Sequence, residues 1–467
     1  MLLCREQPYD VHHNSDLYTH GLVARITFPD PESVVRIFAV TVERVADTIV
    51  DELGRLWAEH DVEALTSDAV KHLTAGSATD WGMPATVQSP LPPITFGSGI
   101  PDPDTLPRAE LLAAMERALD VPDDGPLRYG GGVGYEPLRQ ALADRYTRDR
   151  HVPVTADHFL LTNGSADAID LVCAAFLSPG DVVISEAPTF SGTLRTLRGH
   201  QAEVRSVGMD EDGMLVDELE HALDKLTVEG KRAKLIYTIS NFHNPMGSNM
   251  SQERRATLLK LAAKHGAFVL DDDAYGEFYY SHNPPMTLSE MSRGHGVITV
   301  STFSKIIATG LRVGWVHAEP EIIERIMRMR FDMGNSPLLH HMLWQFMQNG
   351  RLDQHLDTMR SIYSEKLEAL SSALHKYCEP YLTFRNPTGG FFLWVTLQNG
   401  LAALDVQREA ILQGSVFPNG HAFFPEHHDH DRGEHLRLSF SWVALGDIDE
   451  GARRLATACE RVANGAT

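Results

Sequence analysis

The chain is 467 residues long, with 43% hydrophobic and 22% charged residues and a formal net charge of -22, the make-up of a globular protein with two or three structural units. So acidic a surface repels phosphate at long range, which disfavours nucleic acid and anionic lipid as partners. No apolar run approaches the roughly 20 residues of a membrane span and no basic-then-apolar leader opens the chain, while the four cysteines (Cys4, Cys173, Cys378, Cys459) form no Cys-x-x-Cys pair, the pattern of a reduced, cytoplasmic protein without a structural zinc.

The first 72 or so residues read as a separate element. Asp30-Pro31-Glu32 suits a helix start. Val42, Val45, Ala46, Ile49, Leu53, Leu56 and Trp57 then recur at helical spacing and form one apolar face, expected to pack on the main body or on a second subunit. Ala75 to Pro93 is rich in Gly, Ser, Thr and Pro and reads as a linker. From Ile94 onward strands and helices alternate. Strands are predicted at 159–161, 182–184, 235–239, 267–270 and 297–301, with helices at 166–177 and 252–265. Such alternation predicts an α/β fold: a largely parallel sheet with helices on both faces and ligands at the carboxyl ends of its strands. From about Leu352 a long helical pattern is followed by short strands near 391–397 and 436–440, which predicts a smaller α+β domain.

Four features fall just after predicted strands. Lys305 ends the run Ser301-Thr302-Phe303-Ser304-Lys305 and is followed by Arg312. A lysine partly desolvated beside cations loses its proton more readily, which suits a Schiff-base amine. The Thr302 and Ser304 hydroxyls and the Arg312 guanidinium suit a phosphate, although a lone lysine in a loop is more often simply solvated. Asp271, Asp272 and Asp273 close an apolar strand and read as a solvated turn, a metal site, or a partner for a protonated pyridine nitrogen. Gly164, Ser165 and Ala166 begin a helix, where backbone N–H groups and the helix dipole attract anions. Asn244-Pro245-Met246-Gly247 is a turn signal.

In order along the chain, GSGIPDPDTLP, LRYGGGVGYEPLRQAL, TNGSADAIDL, EAPTFSG, NFHNPMG, DDDAYGE, STFSKIIATGLRVGW, PTGGFFLWV and LRLSFS together resemble the fold-type I aminotransferases of class I and II, in particular the 2-aminoadipate and kynurenine aminotransferase-like branch. The resemblance runs from Ile94 to the C-terminus. It implies pyridoxal 5′-phosphate as cofactor, an L-amino acid and a 2-oxo acid as substrates, and a homodimer with shared active sites. It implies that Lys305 carries the cofactor and shuttles the Cα proton, that Asp272 pairs with the ring nitrogen, and that Tyr275 and Asn244 bond the ring's phenolic oxygen. By the resemblance Phe190 is expected to stack on the ring. The resemblance also implies that Gly164, Ser165, Ala166, Thr302, Ser304 and Arg312 hold the phosphate and that Tyr129 reaches the phosphate of the neighbouring subunit. By the same resemblance Arg437 is expected to clamp the substrate carboxylate, with Asn244 and Gly99 nearby. The implied division is 1–85 extension and linker, 86–125 N-terminal arm, 126–345 large cofactor-binding domain and 346–467 small domain.

The chain departs from the family pattern at His243 and Met246, where Gln and Thr are usual, at Ala166, and in its long N-terminal extension. These departures leave open a second outcome on the same cofactor, an elimination, replacement or cyclisation of an activated amino acid such as S-adenosylmethionine. His243 reads as a turn residue or a substrate contact. The stretch Glu426 to Asp431 reads as a surface loop rather than a metal site. A regulator fused to a helix-turn-helix would also carry an extension, but VERVADTIVDELGRLWAEHD is acidic and offers no basic recognition helix.

Overall fold

The computed structural model describes residues 48–71, 73, 81–84, 86–122, 124–281, 284–425 and 433–465. These fall into two compact units that divide between Thr66 and Ser67. In the first, residues 48–58 are helical, as the spacing of Ile49, Leu53 and Leu56 predicts. Val62–Leu65 adds one tight turn, in which Asp61 accepts the Glu63 N–H at 3.0 Å. The expected helix start at Asp30, the positions Val42, Val45 and Ala46, and the stretch 426–431 lie outside the described residues.

The second unit is built on an eight-stranded sheet. Its strands and those of two smaller sheets are, in chain order, β1 (Ile94–Thr95), β2 (Phe159–Thr162), β3 (Val182–Ala187), β4 (Glu203–Asp210), β5 (Gly213–Met214), β6 (Ala233–Thr238), β7 (Phe268–Asp272), β8 (Val297–Thr302), β9 (Gly314–His317), β10 (Leu382–Phe384), β11 (Phe392–Leu397), β12 (Ser415–Val416) and β13 (His435–Ser439). The large sheet has the order β2-β9-β8-β7-β6-β3-β4-β5. From β8 to β4 every pairing is parallel, whereas β9 runs antiparallel to both its neighbours. Runs such as Phe159-Leu160-Leu161 and Val182-Val183-Ile184 are buried throughout, because helices cover both faces of a parallel sheet and leave no side for water.

This topology brings the carboxyl ends of β2, β3, β6, β7 and β8 to one end of the sheet. Thr162 and Thr302 both pair with Gly314 across β9, and Asp272 pairs with Val300. From Ile94 onward the predicted strands and helices all exist, with ends unmoved or moved by up to three residues. The short strands β1, β5, β10 and β12, and the strands β4 and β9 of the large sheet, are not among the predicted ones. Of the last two, β4 mixes charged, polar and apolar residues with no unbroken apolar run, and β9, Gly-Trp-Val-His, is too short to show a period. The helix Gln252–His265 is closed by Gly266 at φ +68, a left-handed conformation that glycine adopts without strain.

A three-stranded antiparallel sheet, β10-β11-β13, follows the helix Arg351–Cys378. This helix packs against the last helix, Ile448–Ala463. Trp394 pairs with Arg437 in its register. Short β1 pairs parallel with β12. Among the described residues no helix is long and apolar enough to cross a membrane.

Candidate active site

One corner of the site is an anion cradle. Gly164 opens the helix Gly164–Phe176 at φ +81, and a Cβ there would lie 2.7 Å from Arg312 Nη2. Only glycine allows that close approach. Arg312, itself at φ +49, donates to Asn163 O at 3.0 Å and to Ser304 Oγ at 3.2 Å. Thr302 Oγ1 caps the next helical turn by accepting the Ser304 N–H at 3.0 Å, and lies 2.9 Å from Ser304 Oγ. Ser165 and Ala166 add their N–H groups to the first turn of the helix, where four backbone donors have no partner inside it.

Lys305 lies in the turn Phe303–Ile306 directly after β8. Its Nζ donates to Gly99 O at 2.6 Å and stands 5.8 Å from the centre of the Tyr275 ring. Burial, with the Arg437 and Arg312 cations nearby, pulls the ammonium down to about 8, against the pull of Asp272. Gly99 must be glycine, since a Cβ would meet Phe392 Cζ at 2.5 Å.

All three aspartates are bonded within the protein, and Asp271 Oδ2, like Asp272 Oδ1, is buried without a partner. Asp271 accepts from Ser240 Oγ at 2.8 Å, and Asp273 accepts from Asn241 Nδ2 at 2.7 Å with Arg150 Nη2 at 3.7 Å. Asp272 accepts the Tyr237 hydroxyl proton on Oδ2 at 3.0 Å, and its Oδ1 is buried without a partner. Burial raises its carboxyl to about 6, the Tyr237 bond opposes that rise, and Asp273 adds to it. Thr193 Oγ1 donates to Tyr237 Oη at 2.9 Å, so three residues form a chain that ends on Asp272.

Arg437, on β13, closes the other side. It donates to Asn244 Oδ1 at 3.0 Å and to Gly97 O at 2.7 Å, and its buried Nε has no partner. Its guanidinium carbon is 4.5 Å from the Phe392 ring centre and 4.9 Å from that of Phe423. Burial brings it down to about 10, so it remains a cation at neutral pH. Tyr275 is raised by burial and stays protonated, and Asn244 bonds its side chain.

The structure therefore gathers Lys305, Asp272, Tyr275, Asn244, Arg437, Gly99 and the Gly164–Arg312 cradle at the strand ends. Phe190 follows β3 and is half-buried. Tyr129 is not brought in; it is 81% exposed and lines a surface groove with Pro337 and His341. His243 is a turn residue: its Nδ1 accepts the Met246 N–H at 3.3 Å and its Nε2 donates to buried Glu186 at 3.1 Å. Among the described residues no group of side chains suits a metal ion. Sequence reading missed Tyr237, which looks like an ordinary core residue of an apolar strand. It also missed Trp81, whose ring meets Phe190 edge-on at 6.1 Å.

The family model for aminotransferase class I and II matches residues 92–455. The chain is 33% identical over 366 residues to the aromatic-amino-acid aminotransferase 1 of Thermococcus litoralis, covering 78% of this chain and 87% of that one. It is 32% identical over 370 residues to the 2-aminoadipate transaminase of Thermus thermophilus, covering 78% and 89%. Its fold is similar to that of Pyrococcus horikoshii kynurenine aminotransferase, solved with pyridoxamine phosphate, at a TM-score of 0.80 and 31% identity over 87% of this chain and 99% of that one.

Proposed function

Because the chain belongs to the class I and II aminotransferases, pyridoxal 5′-phosphate enzymes, we propose that Lys305 is the amine that carries the cofactor and Arg437 the clamp for the substrate α-carboxylate. When bound, the cofactor supplies an electron sink for the charge that develops at Cα. The residues at the strand ends fit it. A buried carboxylate oxygen without a partner, Asp272 Oδ1, suits a protonated ring nitrogen, because a buried acceptor left unpaired is costly. The Gly164–Arg312 cradle, with Ser165, Ala166, Thr302 and Ser304, suits a phosphate. Phe190 suits a stacking ring, and Tyr275 and Asn244 suit the phenolic oxygen.

Arg437 fixes the amino acid through its carboxylate in a bidentate grip. Phe392 and Phe423 flank that guanidinium and exclude water from it, which strengthens the charge pairing. Lys305 Nζ, held near neutrality in its proton affinity, takes the proton from substrate Cα and returns it during the transfer. Tyr275 stays neutral and donates its phenolic proton. The observation that carries this reading is Asp272 at the end of β7, which combines a buried unpartnered Oδ1 with a place in the electrostatic neighbourhood of Lys305 and Tyr275, where Asp271 and Asp273 face Arg255 instead.

The amino donor and acceptor fit the class of the relatives, whose names include aromatic amino acids, 2-aminoadipate and kynurenine. A homodimer is supported by exposed Tyr129 and by Phe331, which is 96% exposed. The two segments that carry them meet where Gly334 packs on the Gly131 carbonyl. Large apolar side chains left bare in this way mark a protein interface. Three free, buried thiols, Cys173, Cys378 and Cys459, support a cytoplasmic setting. The implied large domain, 126–345, and small domain, 346–467, follow the eight-stranded and three-stranded sheets.

The test is borohydride reduction of protein loaded with pyridoxal 5′-phosphate, followed by peptide mass spectrometry, together with an assay of amino transfer from L-amino acids to a 2-oxo acid. The cofactor mass on the Lys305 peptide and formation of a new 2-oxo acid are expected. A label on another lysine, or elimination products without amino transfer, refutes the reading.

A further inference from the structure

The segment Trp81–Pro84 lies upstream of the region that the family model matches, 92–455. Its composition reads as a linker, yet Gly82 is pinned. The Gly82 carbonyl accepts from the Asn419 N–H at 3.1 Å, from Gln407 Nε2 at 2.9 Å and from Asn419 Nδ2 at 3.3 Å. Gly82 is buried at φ +72, and a Cβ there would lie 2.7 Å from Asn419 O. A glycine buried at positive φ under three hydrogen bonds is a docked backbone, not a tether.

Docking sets the two flanking side chains over the site. Met83 covers Gly97, whose Cβ position would be 2.5 Å from the Met83 sulfur. The carbonyl of that same Gly97 accepts from Arg437. On the other side of Gly82, Trp81 meets the Phe190 ring edge-on. The loop beneath ties the two together. Thr189 N–H, beside Phe190, donates to Phe423 O at 2.7 Å, Phe423 flanks Arg437, and Pro418 O accepts the Arg437 N–H at 3.2 Å. The segment thus spans from the residue assigned to the cofactor ring to the residue assigned to the substrate carboxylate. Trp81 is still 52% exposed, so much of its indole is left open to a further contact. Neither Trp81 nor Met83 nor Phe190 carries a charge.

We propose that Trp81, with Met83, forms a wall of the substrate side-chain subsite, and that the preferred amino donor carries a large apolar or aromatic side chain. The inference rests on Arg437 holding the α-carboxylate. With the carboxylate at Arg437 and Cα at Lys305, a side chain directed to the Phe190 side runs along the Trp81 indole. An aromatic wall favours an aromatic or long apolar group by burying its surface and by edge-to-face contact, and offers nothing to a charged one.

The experiment compares holoenzyme wild type, Trp81→Ala and Trp81→Phe, with L-phenylalanine, L-alanine and L-glutamate as donors. The wild type should prefer phenylalanine. Trp81→Ala should lower kcat/KM for phenylalanine about ten-fold and for alanine by less than about two-fold, the span that apolar pocket contacts supply, and Trp81→Phe should recover most of the loss. A second readout avoids turnover: calorimetric binding of 3-phenylpropionate, an aryl carboxylate that cannot react, against acetate. The wild type should prefer the aryl acid, and Trp81→Ala should lose that preference at an unchanged melting temperature. Equal losses on all donors, a wild-type preference for glutamate, or unchanged aryl-acid binding overturns the proposal while leaving the aminotransferase site standing. Absence of transfer with every amino acid strikes the parent reading and this one together.

Discussion

Replacing Tyr237 by phenylalanine should detune Asp272 without touching the cofactor pocket itself. The Tyr237 hydroxyl donates to Asp272 Oδ2 at 3.0 Å inside the sheet. It opposes the burial that otherwise drives the carboxyl upward, and the carboxyl stands at about 6 with that bond in place. At pH 7 such a group is about nine-tenths ionised. A hydrogen bond to a charged acceptor is worth about 1.5–3 kcal/mol, and each 1.36 kcal/mol moves a pKa by one unit. Its loss therefore moves Asp272 to about 7–8, where about a tenth to a half is ionised at pH 7. The carboxylate form binds a protonated ring nitrogen, so cofactor affinity at pH 7 should fall about two- to nine-fold, in step with that fraction. The titration is read directly from the Asp 13Cγ resonance of the cofactor-free protein, assigned against Asp272→Asn. Thr193 loses its acceptor in this variant, at a stability cost of about 1 kcal/mol, and Thr193→Val should shift Asp272 by less than Tyr237→Phe does. If the Asp272 midpoint stays at about 6 in Tyr237→Phe, the chain Thr193–Tyr237–Asp272 does not govern the carboxylate.

Two further outcomes test other parts of the site. In cofactor-free protein, competitive acetylation followed by mass spectrometry should show Lys305 gaining reactivity as pH rises through about 8, which at pH 7 leaves about 300 times more free amine than an ordinary lysine has; a midpoint near 10.5 refutes the role given to burial and Arg437. Glu277 is pressed upward by burial but held down to about 2 by Arg145, Arg150 and Arg360, with Arg145 Nη2 at 2.9 Å. Because its folded value lies below its unfolded one, its contribution is fully present above pH 4.5 and is lost as pH falls toward 2. A shift of that size is worth about 3 kcal/mol, trimmed toward 2 because the side chain is 23% exposed. Urea unfolding of Glu277→Gln should show that loss at pH 7 and a flatter acid dependence between pH 4.5 and 2.5; an unchanged acid slope refutes it.

Positions that follow an apolar strand were legible, because a parallel sheet buried on both faces writes its strands as unbroken apolar runs and its ligands gather where those runs stop. Gly164, Asn244, the run Asp271–Asp273 and Lys305 stand out in this way. What escaped was information held in pairing between distant segments. Nothing local distinguishes Asp272 from Asp271 and Asp273. The choice is made by which groups each carboxylate meets: Asp271 and Asp273 lie with Ser240, Asn241, Arg150 and Arg255, whereas Asp272 between them lies with Tyr237 and Lys305. Tyr237 itself reads as core, since its partner lies 35 residues away on the next strand. Trp81 was hidden more deeply. Gly, Ser, Thr and Pro report only that a segment will not form a helix or strand by itself. Whether it docks depends on its receptor, and the groups that receive Gly82 are Gln407 and Asn419, more than 300 residues further on. A polar, glycine-rich stretch beside an active site is therefore weak grounds for a tether, and the contacts that fix it are also those that give its flanking side chains a place in the chemistry.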